Sequence, residues 1–175
     1  MEVSALDARS EPEARALLAA CCAAPAWVDR MLAARPWRDR DGLLAAADRA
    51  WDACPREAIA DAIAHHPRLG ERAAAVPLGA RERDWSAEEQ RGTRVAAEDV
   101  KQALARGNAA YEERFGHTFI LCATGLSAAA MLASLQQRMA NDPETEHAVT
   151  ARELHRITRL RLERLLAGDD ARTDA

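Results

Sequence analysis

Apolar residues recur at three- and four-residue intervals through most of the chain, the period of helices with one buried face, and prolines, glycines and small polar residues interrupt them. Ser10 and Glu13 have capping-box spacing and Pro12 is tolerated in a first turn, so a helix is predicted from Glu11 to about Cys22. Pro25 to Ala34 forms the next, stopped at Arg35-Pro36 because the residue before proline is pushed out of helical geometry. Helices over Leu43 to Ala53 and Arg56 to His65 follow, separated by Pro55. Pro67 to Asp84 has two prolines, two glycines and no sustained period, and reads as a long ordered loop, a kind of segment that in compact domains usually carries function. A long helix runs from Ser86 to about Arg114, with Val95, Val100, Leu104 and Tyr111 on one side and a local weakening at Gly107-Asn108. Phe115-Gly116 breaks it, Thr118 to Cys122 is a short apolar run, extended or a buried turn, and Ser127 to Met139 is helical again. The last helix, Pro143 to Ala167, has Asp142 as N-cap, proline at its first position and Gly168 past its end.

These elements imply an all-α fold: a single-domain helical bundle of about seven to nine helices over residues 1–170, with a long ordered loop after the helix that ends at His66. Residues 171–175 form a frayed tail. Composition agrees, because 49% hydrophobic residues with only 4% aromatics and few glycines favour helix over sheet. The net charge of −4, with both signs interspersed, gives no electrostatic footprint for nucleic acid or an anionic membrane. The N-terminus lacks the apolar core of a signal peptide and no apolar run approaches a membrane span, so a cytoplasmic protein is expected. Cys21, Cys22, Cys54 and Cys122 make neither a disulfide framework nor a zinc motif and read as reduced, small buried hydrophobes.

Three polar positions stand out. His66 continues the Ile59/Ile63 stripe while Pro67 ends the helix behind it, so its imidazole faces inward at a helix-to-loop junction; it is either a proton-transfer residue or a core-edge histidine bonded to backbone. His65 points to the surface. Ser86 and Glu89 form a capping box, or else Glu89, with Gln90, is free to bond an imidazole or a polar ring. Arg161 lies in line with Leu154, Ile157 and Leu165, so its guanidinium either meets a carboxylate of protein or ligand or snorkels to the rim. No histidine pair has the HxxxH or HxH spacing of a metal site.

Taken together, His66-Pro67-Arg68-Leu69-Gly70, Ser86-Ala87-Glu88-Glu89-Gln90 and the run from Tyr111 through Phe115-Gly116-His117-Thr118-Phe119-Ile120-Leu121 to Ala123 resemble the 2-oxo-4-hydroxy-4-carboxy-5-ureidoimidazoline (OHCU) decarboxylases. Arg35-Pro36-Trp37, Arg138-Met139-Ala140-Asn141, Glu144 and Leu160-Arg161-Leu162 extend the likeness over nearly the whole chain. His117-Thr118 stands where family members often have Phe-Pro. The resemblance implies decarboxylation of the ureidoimidazoline to (S)-allantoin in urate degradation, without cofactor or metal, by a homodimer. It implies His66 and Glu89 as catalytic residues. Pro67, Ser86, Gln90, Arg161 and the backbone of Phe119, Ile120 and Leu121 would bind substrate. The rivals are an enzyme of the same scaffold acting on another ureido or imidazoline compound, and a helical interaction module whose inward polar residues are merely structural.

Overall fold

The computed structural model describes the backbone of residues 1–66 and 87–167, with side chains placed for 1–66 and 98–167. Among the described residues there are eight helices and no strand: α1 (Val3–Asp7), α2 (Glu11–Cys21), α3 (Pro25–Ala33), α4 (Arg40–Asp52), α5 (Arg56–Ala64), α6 (Ala87–Phe115), α7 (Ala128–Arg138) and α8 (Pro143–Ala167). The all-α expectation holds. The long loop expected after His66 lies outside the described residues.

Local chemistry explains most of the boundaries. At α2 the Ser10 N–H and hydroxyl both donate to Glu13 Oε2, at 3.1 and 2.6 Å, and at α8 Asp142 Oδ1 accepts from the N–H groups of Glu144 and Thr145. Helix α6 ends where Gly116 turns to a φ of +75°, a conformation that costs glycine little. Two features escape hydrophobic periodicity. The short α1 buries only Val3 and Leu6. Helix α4 starts three residues before Leu43, because Asp39 accepts the Gly42 N–H at 2.7 Å. Gly42 itself is required there, since a Cβ would sit 2.2 Å from the Trp37 carbonyl oxygen.

The chain divides into two compact units, one formed by Met1–His66 and the chain from Ala151 on, the other by the described residues between them, up to Thr150. In the first, α3 packs against α2 and α4. Trp27, fully buried, donates its indole N–H to Ala47 of α4, and Trp37 donates to Met31 of α3. Burial of such a side chain is worth about 1.5–3 kcal/mol, and bonding the indole N–H avoids the penalty of an unpaired donor. Helix α8 joins this unit through Asp48, which meets His155 Nε2 and Arg159, and through the His155 ring stacked on Trp51. In the second unit α6 packs on α7 around Tyr111, Phe119, Leu121 and Leu135, with Leu104, Phe115, Met131 and Met139 at the edge. Gly107 does not interrupt α6. It lets the helices approach, since a Cβ there would lie 2.8 Å from Leu135 Cδ2. The cysteines are free thiols, Cys21 and Cys22 buried and Cys54 and Cys122 half-buried. Burial pushes the Cys21 thiol up to about 11.

Candidate active site

His66 follows the last turn of α5, whose buried face is Ile59, Ala62 and Ile63. It is half-buried, and its N–H donates to the Ile63 carbonyl at 3.1 Å, as the position just past a helix end requires. His65 is exposed, its Nδ1 2.8 Å from the Asp61 carbonyl, so the two adjacent histidines differ in environment as expected.

Arg161 belongs to the same unit but does not occupy the buried line of α8. That line recurs every four residues, Glu146, Thr150, Leu154, Thr158 and Leu162, each no more than 2% exposed. Ile157, Arg161 and Leu165 form its half-buried flank. From there Nη1 of Arg161 donates to the Cys21 carbonyl at 3.2 Å, at the C-terminal end of α2 where the helix dipole favours a cation. The flank position explains why an arginine is tolerated in a line of apolar residues: its stem packs while its head keeps a polar partner.

Phe119, Ile120 and Leu121 are buried in the second unit, in a segment that is neither helix nor strand. Among the described residues no acceptor takes the N–H of any of the three. Glu89 and Gln90 fall on α6 with side chains outside the described set, and Pro67 and Ser86 lie outside the described residues altogether.

Behind this segment lies a buried polar network that periodicity did not reveal. Glu146, fully buried in the first turn of α8, accepts from Nε of Arg138 at 2.8 Å, from its Nη2, and from the hydroxyl of Tyr111 through Oε1. Its Oε2 accepts from Asn141 at 2.7 Å. Arg138 also donates from Nη2 to Thr150 at 2.9 Å and from Nη1 to the Ile120 carbonyl at 2.7 Å, and its guanidinium lies 4.6 Å from the Phe119 ring centre. Burial raises the Glu146 carboxyl, but the hydrogen bonds from Arg138, Tyr111 and Asn141 outweigh it and hold the group below the usual 4.5. Burial, reinforced by donation to Glu146, pushes the Tyr111 phenol up to about 12. The four-residue spacing of Glu146, Thr150 and Leu154 was the available signal, obscured because its first two members are polar.

The sequence profile of the OHCU decarboxylase family matches residues 7–163. The 2-oxo-4-hydroxy-4-carboxy-5-ureidoimidazoline decarboxylase of Haloferax volcanii is 31% identical over 139 residues, 78% of this chain and 79% of its own length. The uric acid degradation bifunctional protein TTL of Arabidopsis thaliana is 26% identical over 151 residues; these are 84% of this chain, which spans only 45% of that longer protein. In three dimensions the chain is similar to an OHCU decarboxylase crystallised in the presence of (S)-allantoin, with a TM-score of 0.66, 26% identity, and coverage of 85% of this chain and 96% of that one. No helix among the described residues is long and apolar enough to cross a membrane. A match along nine-tenths of the sequence, joined to an all-α architecture shared with that enzyme, means that this chain belongs to the OHCU decarboxylase family.

Proposed function

We infer that this chain decarboxylates 2-oxo-4-hydroxy-4-carboxy-5-ureidoimidazoline to (S)-allantoin, a step of urate degradation. The observation that carries the reading is the family match along residues 7–163. The reaction breaks the bond between a ring carbon and its carboxylate. CO2 leaves, the bonding pair is delocalised into the adjacent ring C=N system, and a proton then reaches that carbon from one face. Because the substrate is its own electron sink, the chemistry requires no cofactor or metal.

His66 handles the proton, since histidine is the side chain whose unperturbed pKa lies nearest neutrality and His66 is half-buried at a helix end. Glu89 orients the imidazole. Arg161 binds the anionic substrate, with Pro67, Ser86 and Gln90 as further contacts. The backbone N–H groups of Phe119, Ile120 and Leu121 meet substrate oxygens, where fixed donors stabilise developing charge without reorganising. The enzyme works as a homodimer in the cytoplasm, and light scattering on the purified chain checks the dimer.

The test is circular dichroism of the allantoin formed from freshly generated substrate. His66→Gln is expected to lower kcat about 10²–10⁴-fold with an unchanged far-UV spectrum, the range removed with a positioned acid or base. Full stereospecific activity in that variant would refute the role of His66. No turnover by the wild-type chain would refute the activity itself and leave the helical interaction module.

A further inference from the structure

The carboxylate of Glu146 and the guanidinium of Arg138 are 0% and 7% exposed. Such a pair is a poor way to gain stability, because desolvating two charges offsets most of their attraction and apolar residues of equal volume do as well. What it provides is direction. The guanidinium is a planar fork, and here both of its edges are engaged: Nε and Nη2 by Glu146, Nη2 also by Thr150, Nη1 by the Ile120 carbonyl. Arg138 of α7, held by Glu146 and Thr150 of α8, thus reaches one backbone oxygen of the irregular segment. The Ile120–Leu121 peptide is trans, so its C=O and N–H point in opposite directions. Fixing the carbonyl therefore fixes the N–H of Leu121, one of the three donors that no described residue takes. The guanidinium stacked over Phe119 restrains the preceding side chain as well.

We propose that Arg138, braced by Glu146 and Thr150, is a positioning residue for substrate: it holds the Ile120 carbonyl so that the Leu121 N–H is aimed at the ligand before the ligand arrives. This rests on the reading that the backbone of Phe119 to Leu121 binds substrate. The ligand class it serves is a small cyclic ureide whose carbonyl or oxyanion accepts from a backbone amide. Arg138 touches no reacting atom, and its effect is on binding and orientation.

The experiment uses the full chain, labelled with 15N, with (S)-allantoin as the probe. In wild type the Leu121 amide resonance is expected to shift on saturation with (S)-allantoin. Arg138→Lys keeps a cation for Glu146 but replaces the fork with a single point donor. It is expected to retain the far-UV spectrum, move the Leu121 resonance of the free protein, and raise KM and the (S)-allantoin Kd about tenfold while kcat changes about threefold or less, the size of one charged hydrogen bond. A merely structural arginine would lower melting temperature and leave the KM of the folded protein alone. If Arg138→Lys does not fold, Thr150→Val keeps the side-chain shape, removes the 2.9 Å brace on Arg138 together with the hydroxyl's contacts to Tyr111 and Glu146, and is expected to raise KM about threefold. The two readings fail differently. No shift of Leu121 in wild type refutes backbone binding, and the proposal with it. A shift in wild type that persists in the variants, with KM and Kd unchanged, refutes the positioning role alone.

Discussion

Replacing Glu146 with leucine leaves the Arg138 guanidinium buried and without its carboxylate, and the structure specifies what is lost. Oε1 serves both Nε and Nη2 of Arg138 and the Tyr111 hydroxyl, while Oε2 holds Asn141. Tyr111 retains Thr150 at 3.2 Å and Arg138 retains Thr150 and the Ile120 carbonyl, so the cation is the group most exposed to loss. Stranding a buried charge costs about 3–5 kcal/mol. With a urea dependence of about 1–3 kcal/mol per molar, the unfolding midpoint should fall by about 1–5 M. Adding Arg138→Met removes the stranded cation, and the double variant should be more stable than Glu146→Leu alone. The pH arm follows from linkage. The folded pKa of Glu146 is depressed, so its contribution is complete above the ordinary value of 4.5 and disappears as pH falls through the lower folded value. The gap between wild type and Glu146→Leu should therefore narrow below pH 4.5. Urea unfolding by far-UV circular dichroism at several pH values measures all of this. A midpoint change of Glu146→Leu below about 0.5 M, or a double variant no better than it, would refute the argument that an uncompensated charge dominates.

Tyr111 is the single tyrosine, so its ionisation can be read directly from absorbance. With the folded pKa raised from 10.0 to about 12, it should stay protonated through pH 10; the stability it contributes is present below pH 10 and lost as pH rises towards 12, and a normal titration near 10 in the folded protein would contradict the buried bond to Glu146. Gly107→Val forces side-chain atoms against Leu135, where even a Cβ is at 2.8 Å, and should destabilise by about 1–3 kcal/mol in thermal unfolding. Gly107→Ala should come closer to neutral, because alanine regains about 1 kcal/mol of helix propensity. Arg161→Ala should raise KM more than it lowers kcat in the allantoin assay; unchanged kinetics with reduced stability would assign the residue to holding the end of α2.

Helix existence was legible in the linear chain because its causes are local. The Ser10/Glu13 box, Asp142 with Pro143, and the Phe115-Gly116 stop act within one turn of themselves, and each appears where the residue types required it. The family motifs were legible for a related reason, since order and spacing survive without coordinates. Which side of α8 faces inward was not. Arg161 looked central among leucines, whereas the buried line begins with Glu146 and Thr150, polar residues that hydropathy assigns to solvent. Only tertiary structure brings Arg138 from the end of α7 to that carboxylate, and only that pairing offsets the cost of burying either charge. The same holds for Gly107, a weak helix residue by propensity whose missing side chain leaves room for Leu135. Most helices, though not α1, and the family were set by the linear chain alone, because capping, breaking and motif spacing are short-range. Packing between distant parts of the chain set which polar groups are buried and which backbone carbonyls they hold, because desolvation and hydrogen bonding depend on neighbours far away in sequence.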